Sequence, residues 1–214
     1  MGYRTSNIDF TCPTTFRAAF AFPLQSSASR KDLLIGALWL LVPGLGWLLN
    51  MGHRIAITHN LLHGEPAWPA WHNYPSLFKH GVLTFLGMIL YHSPAIVFGY
   101  FAWQNPSPRL IVPALALWAL AAIAVPGYMT HYSYTLDPSE IFNPFRALRR
   151  VAQGGWLYWK AWLIALTAML VSFAGLLAFG VGFLITSVWF WQVAAFSFAS
   201  VFAQRFAMLS VSEV

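Results

Sequence analysis

Histidines are the side chains of this sequence best suited to chemistry, and seven of them stand at positions 53, 59, 63, 72, 80, 92 and 131. His59 and His63 are four residues apart, so a helix would place both imidazoles on one face at a spacing compatible with metal binding. Glu65 is the only acid beside them. Histidines that meet water and lipid headgroups at a membrane surface explain the pattern more simply, so no metal site is predicted.

His92 differs because it falls in the middle of an apolar stretch that is long enough to cross a membrane. A polar side chain at that depth is expected to face protein or a bound group. His92 could ligate a haem or another pigment, which the 18 Phe and 11 Trp residues would surround. It could equally hydrogen-bond a neighbouring helix, so whether a cofactor is present stays open.

Asn50 and Arg54 form a second candidate site, because residues four apart share one face of a helix. Together they could hold a lipid phosphate or the carboxylate of a partner. Alternatively, Arg54 could anchor its helix by extending its charge to the membrane surface. Gln192, in the middle of the last apolar stretch, is expected to hydrogen-bond between helices.

Acidic residues are few, and the six of them lie outside the predicted spans, at positions 9, 32, 65, 137, 140 and 213. Transporters coupled to protons or sodium commonly use carboxylates within the membrane, so this distribution counts against that class. It also offers no paired carboxylates and no aspartate for a buried catalytic triad. The single cysteine, Cys12, excludes an intrachain disulfide and a cysteine-based metal site. We therefore predict that the protein is not an enzyme.

The composition is that of an integral membrane protein, with 58% hydrophobic and 8% charged residues and a mean hydropathy of +0.60. Soluble domains carry about 25% charged residues. The net charge of +6 comes from basic residues between the apolar runs. That placement indicates membrane topology and attraction to anionic lipids, and it does not favour nucleic acid as a partner.

The apolar runs predict an all-α, polytopic integral membrane protein built from three helical hairpins, with amphipathic helices at the membrane surface. Residues 1–31 form a cytoplasmic or interfacial segment, with a short amphipathic helix around Phe16 and Phe20. Residues 32–206 form one membrane domain, and residues 207–214 form a short C-terminal tail. Within the domain we predict a hairpin at 33–63 and membrane spans at 79–103, 110–129, 156–178 and 183–204.

The stretch 33–63 decides the topology of the chain, because it is either one long helix or a hairpin folded at Pro43–Gly46. As one helix its 31 residues would measure about 46 Å, against a hydrocarbon core of about 30 Å. A single crossing places five Lys and Arg on one side and seven on the other, whereas a hairpin leaves Arg109 alone on the far side and eleven on the near side. Basic residues accumulate on the cytoplasmic side, so we predict the hairpin and cytoplasmic termini. Its legs are short for a full crossing, so it could be re-entrant.

Two segments between the apolar runs are predicted to contact lipid or a partner. Residues 64–78 contain three prolines, and Trp68 and Trp71 suit the membrane–water boundary. Around residue 148, apolar positions alternate with Arg146, Arg149 and Arg150, which predicts a basic amphipathic helix at anionic lipids. The motif before this last hairpin, residues 145–148 (FRAL), resembles residues 16–19 (FRAA) before the first, which suggests a parallel repeat or chance.

The chain also resembles a known family. The segments LLIGALWLLVPGLGWLLNMGHRI, NLLHGEPAWPAWHNYPSLFKHG, NPFRALRRVAQGGWLYWKAWLIAL and FGVGFLITSVWFWQVAAFSFASVFAQ are similar to the prokaryotic membrane proteins grouped as domain of unknown function 4013. Members often carry acids where this chain has Ala70, His72 and Asn73. The resemblance implies a multi-spanning fold and a location in the prokaryotic cytoplasmic membrane, and it implies no activity.

Three functions are compatible with these observations. The first is a non-catalytic accessory or scaffold subunit that packs against other membrane protein subunits or organises lipid, since aromatic residues surround the last predicted span on most sides. The alternative is a permease or channel-like transporter, which requires a polar cavity lined by Asn50, Arg54 and His92. The third is a pigment- or haem-binding subunit ligated at His92.

Overall fold

The structure, a computed structural model, describes residues 14–206 and confirms an all-α, polytopic protein. This part of the chain contains no β-strand, and its three short 3₁₀ helices lie at 22–24, 138–140 and 173–177. The predicted C-terminal tail and residues 1–13 lie outside the described residues. Seven α-helices follow in order: α1 Phe16–Ala21, α2 Ser27–Trp39, α3 Leu45–Leu62, α4 Tyr74–Gln104, α5 Pro108–Thr135, α6 Pro144–Ser172 and α7 Val181–Phe206.

Four of these helices are long and apolar enough to cross a membrane: α4, α5, α6 with the turn that extends it, and α7. The four predicted spans fall on them in order. With 31 residues, α4 measures about 46 Å, so it is longer than a hydrocarbon core of about 30 Å. Each spanning helix therefore has a part that projects beyond the membrane interior or a marked tilt.

Residues 33–63 form a hairpin, as predicted, and not one long helix. The chain breaks between α2 and α3, where Gly44 has φ of +75°, a conformation that glycine adopts without strain. Leu40 and Trp47, on either side of the turn, lie beside Met88 in the middle of α4. From Met88, α4 continues for sixteen residues, about 24 Å. The broken hairpin, as we call α2–α3, therefore turns back beside the middle of a spanning helix.

Glycines let the broken hairpin pack closely on itself and on α4. A β-carbon added to Gly46 would stand 1.7 Å from the carbonyl oxygen of Trp39. One added to Gly52 would stand 1.8 Å from the carbonyl oxygen of Leu77 in α4. Because no side chain fits at such distances, these two positions set the spacing of α2, α3 and α4.

The last helix is the centre of the bundle, which corrects the expectation that its aromatic residues form an outer surface. Helix α7 contacts α1, α2, α3, α5 and α6. Phe196, Phe198 and Phe202 are at most 6% exposed, and Trp191 is only partly exposed, at 37%. The aromatic side chains of α7 therefore serve mainly the core of this chain.

The N-terminal segment belongs to the same core. The short helix expected around Phe16 and Phe20 exists as α1, and the indole N–H of Trp189 in α7 donates to the carbonyl oxygen of Phe20 at 3.1 Å. Phe22 is buried and stacks on Phe196, with 4.4 Å between ring centroids. This packing inside the bundle was not predicted, because nothing in the sequence indicates which helix the segment meets.

Candidate functional site

Asn50, Arg54 and Gln192 meet at a cavity of about 30 Å³ between the broken hairpin, α4 and α7. Asn50 and Arg54 lie on one face of α3, as their spacing predicts, and Gln192 approaches from α7. Met88 of α4 and Trp191 of α7, both near the middle of their helices, complete this side of the wall. The cavity therefore lies halfway along two spanning helices. Its lining residues are Leu40, Trp47, Asn50, Met51, His53, Arg54, Met88, Val188, Trp191 and Gln192.

Asn50 holds the broken hairpin together. Its side-chain amide donates to the carbonyl oxygens of Gly36, at 3.0 Å, and of Gly46, at 2.8 Å. The first bond joins α3 to α2, and the second closes the turn of α3 next to the break. Because both N–H groups are used, Asn50 orients the hairpin and has no donor left for a ligand.

Arg54 brings a positive charge to the cavity that no acid among residues 14–206 neutralises. Its guanidinium lies 2.7 Å from the sulfur of Met129 and 4.6 Å from the ring centroid of Trp191. Neither group carries a negative charge. Among residues 14–206, the side-chain ion pairs join Asp32 to His53 and Glu140 to Arg146 and Arg150, so none involves Arg54. Since arginine stays protonated in proteins, the cavity is electropositive.

Gln192 adds an unpaired amide to the same wall. Its side chain is 2% exposed, and within the described part of the chain neither its nitrogen nor its oxygen has a hydrogen-bond partner. A buried polar group without a partner costs about 1–3 kcal/mol. The role expected of Gln192, a hydrogen bond between helices, is therefore not fulfilled, and its amide remains available to a molecule in the cavity.

Asp32 and His53 form a buried pair behind the cavity, which sequence reasoning missed. Nε2 of His53 lies 3.1 Å from Oδ2 of Asp32, and the same oxygen accepts the backbone N–H of Ala70 at 2.7 Å. The ring of Trp71 stacks on His53 with centroids 4.2 Å apart, and its N–H donates to the carbonyl oxygen of Asp32 at 2.8 Å. An acid directly before an apolar run was the only signal, and it does not reveal a partner 21 residues away.

Trp68 and Trp71 therefore face the interior of this chain, which corrects the expectation that they anchor it to lipid or a partner. Trp68 is 8% exposed, and its ring centroid lies 4.4 Å from that of Phe22. Trp71 contacts His53 and Asp32 as described above. The segment between α3 and α4 is thus folded back onto the bundle, because its aromatic rings find apolar partners there.

The three arginines of the amphipathic stretch separate into two groups. Arg146 and Arg150 both bind Glu140, the first at 2.9 Å, so they fix the start of α6 to the short helix before it. Arg149 is exposed and pairs with no acid among the described residues. Of the three, Arg149 and the half-exposed Arg146 are placed where anionic lipid could meet them.

The remaining histidine sites lie apart from the cavity. His92 bonds through Nδ1 to the carbonyl oxygen of Met88 at 2.8 Å and meets Trp118 edge-on at 6.3 Å. His59 and His63 share a face, as their spacing predicts, with ring centroids 4.1 Å apart. Their Nδ1 atoms bond to backbone carbonyls, and residues 14–206 contain no group of three His, Cys, Asp or Glu side chains that could hold a metal ion.

Most of the acids in the described chain have structural partners. Asp32 and Glu140 are paired as above. Asp137 accepts from the hydroxyl of Ser139 at 2.7 Å and from its backbone N–H at 2.9 Å, and these bonds hold the pKa of the Asp137 carboxyl below its ordinary value. Asp137 thereby caps a short helix between α5 and α6.

Comparison with known proteins adds no relative. No family model matches the chain, and no curated protein and no solved structure matches it either. The resemblance to domain of unknown function 4013 rests on the sequence segments quoted above. Any functional argument must therefore start from the site itself.

Proposed function

We propose that this protein is a non-catalytic, permease-like membrane protein that binds an anionic solute between the broken hairpin and α7. One observation carries the proposal: Arg54 faces a cavity in the membrane domain, and no acid of the described chain neutralises it. Charged groups inside membranes are expensive and usually mark the path of an ion or substrate. An anion in the cavity would neutralise Arg54 and could accept a hydrogen bond from Gln192.

The architecture around the cavity supports the same proposal. Secondary transporters commonly bind substrate near the bilayer midplane, where helices are interrupted. Here the interruption between α2 and α3 lies beside Met88, in the middle of α4. The sequence predicted that a transport cavity would be lined by Asn50, Arg54 and His92. Asn50 and Arg54 line the cavity described above, and His92 does not.

The test is anion flux through the full-length protein reconstituted in liposomes. Vesicles loaded with the potassium salt of chloride, nitrate, sulfate or phosphate are diluted into a low-potassium buffer that lacks these four anions. Valinomycin lets potassium follow the anion, so charge stays balanced while the released anion is measured. We expect protein-dependent release of at least one anion, and Arg54→Gln should abolish it because the positive charge is lost. Arg109→Gln removes an exposed arginine at the turn between α4 and α5 and should leave the flux unchanged. No release above protein-free vesicles for any anion would contradict the proposal.

The halves of α4 and α5 next to the turn that joins them favour a second candidate function, that of an accessory subunit. Among residues 88–104 only Ala95 is buried, and none of residues 108–120 is. This pair of helices, which we call the α4–α5 arm, is apolar on nearly all sides. Such a surface in a membrane faces lipid or another subunit. Another membrane protein subunit is the partner we propose for the arm.

Gentle extraction from native membranes followed by mass spectrometry tests the accessory role. Trp103, at the end of the arm, is 84% exposed, and Trp103→Ala should reduce recovery of a partner that binds there. Phe179, fully exposed at the turn before α7, offers a matched control, because Phe179→Ala leaves the arm intact. A protein that always purifies alone would contradict this candidate.

We also infer that the chain lies in the cytoplasmic membrane of a prokaryote with both termini in the cytoplasm. Arg109 is the only Lys or Arg at the turn between α4 and α5, which supports placing that turn outside. In a Cys12→Ser background, Ser107→Cys should react with an impermeant maleimide in intact cells. Glu65→Cys should react only after permeabilisation, and the reverse pattern would overturn the orientation.

A further inference from the structure

The cavity also indicates which anions it can take, an inference that rests on the proposed function. We infer that its ligand is a compact, singly charged and weakly hydrated anion, of the size of a halide or nitrate, and not sulfate, phosphate or a lipid headgroup. Three properties of the site lead to this class: its charge, its volume and the nature of its walls.

The charge of the site matches one negative charge. Among the residues that the structure describes, Arg54 is the only arginine or lysine that lines the cavity. Asp32 does not line the cavity, and its carboxylate lies 3.1 Å from Nε2 of His53 and accepts the backbone N–H of Ala70 at 2.7 Å. A monovalent anion would therefore leave the site neutral, whereas a divalent anion would leave one negative charge uncompensated in an apolar interior, which is expensive.

The volume of about 30 Å³ limits the size of the ligand. One water molecule requires about 10–15 Å³ on this measure, so the cavity holds two or three waters or one compact anion. A phospholipid headgroup, with its glycerol and acyl chains, is far larger.

The walls provide few groups that could replace a hydration shell. Besides Arg54, the described lining offers an anion the unpaired side-chain amide of Gln192. Asn50 offers no N–H group, because both of its own bind backbone carbonyl oxygens. Most of the other lining side chains are apolar: Leu40, Trp47, Met51, Met88, Val188 and Trp191. Strongly hydrated anions would lose more water contacts here than the site returns, so weakly hydrated anions are preferred.

Iodide quenching of tryptophan fluorescence tests the class at equilibrium, without transport. Trp47 and Trp191 line the cavity, so iodide bound beside Arg54 should quench them in purified full-length protein. We expect a component that saturates with iodide and that nitrate displaces at concentrations at least tenfold lower than sulfate. Arg54→Gln should weaken this component at least tenfold, since the charged hydrogen bond to the anion is lost. Arg109→Gln should leave it unchanged.

The wild-type protein alone can overturn the inference, so a variant that fails to fold does not obscure the result. Quenching that only rises linearly with iodide, or displacement by sulfate or phosphate as readily as by nitrate, would contradict the class. Arg54→Lys keeps the charge and should retain saturable quenching. Saturable iodide binding without anion flux would refute the permease and support the ligand class. Flux of sulfate or phosphate, without flux of chloride or nitrate, would support the permease and refute the ligand class.

Discussion

Different forces hold together the broken hairpin, which follows the FRAA motif of α1, and the α6–α7 hairpin, which carries the similar FRAL motif at the start of α6. In the broken hairpin, polar groups join the helices: Asn50 binds the carbonyl oxygen of Gly36, and His53 binds Asp32. In the α6–α7 hairpin, aromatic contacts dominate, such as Trp162 on Phe198 at 5.6 Å. Hydrogen bonds between the two helices require buried donors and acceptors. Two of these polar residues, Asn50 and His53, also line the cavity.

This difference explains why the charged residue of the candidate site lies on the broken hairpin, although Trp191 and Gln192 of α7 complete the wall. A helix pair joined by aromatic rings excludes charge, because apolar packing leaves no partner for it. A helix pair joined by hydrogen bonds can keep a charged residue such as Arg54 next to those bonds. Three substitutions test this difference between the two hairpins.

Gly46→Ala should have the largest effect, because the broken hairpin depends on close backbone approach. The new β-carbon would lie 1.7 Å from the carbonyl oxygen of Trp39, so the helices must separate. We expect a loss of about 3 kcal/mol or more in the free energy of unfolding in detergent. Gly99→Ala in α4 is the control, since no atom lies within 4 Å of its added carbon. Equal stability of the two variants would show that the close approach is unimportant.

Asp32→Asn should have the second largest effect, because it removes one member of a buried pair. His53 and the backbone N–H of Ala70 would lose their charged acceptor, and a hydrogen bond to a charged group contributes about 1.5–3 kcal/mol. Denaturant titration in detergent measures the change, with Glu65→Gln, at an exposed position, as the control. If Asp32→Asn unfolds at the wild-type denaturant concentration, polar links do not hold the broken hairpin.

Thr186→Val tests the α6–α7 hairpin and should have the smallest effect. The hydroxyl of Thr186 donates to the carbonyl oxygen of Ser172 at 2.7 Å, across the turn between the helices. Losing one hydrogen bond costs about 1 kcal/mol, and the aromatic contacts remain. Thr167→Val, whose hydroxyl bonds only within its own helix, should cost less. A loss for Thr186→Val as large as that for Asp32→Asn would remove the distinction between the two hairpins.

Much of the fold was predictable because it depends on local composition. Apolar runs of about 20 residues predict spanning helices directly. The break before Leu45 followed from Pro43, Gly44 and the distribution of basic residues. That Asn50 and Arg54 lie on the same face of α3 followed from their spacing of four residues alone.

The inward position of Trp68, Trp71 and the aromatic residues of α7 was not predictable in the same way. Their composition suits a lipid boundary, a partner surface and a protein core equally well. Only the packing of the segment before α4 against α2, and of Phe22 against Phe196, distinguishes among these environments.

An all-α membrane protein, its spanning helices and the broken hairpin follow from the amino-acid order alone, because hydropathy and turn residues act over short stretches of chain. Tertiary structure decided which polar groups became partners. Asp32 contacts His53 and Ala70, whereas the guanidinium of Arg54, within residues 14–206, lies against the sulfur of Met129 and the ring of Trp191. These contacts join residues up to 137 positions apart, as between Arg54 and Trp191. Such pairings depend on how whole helices pack, and that packing left one positive charge facing a cavity.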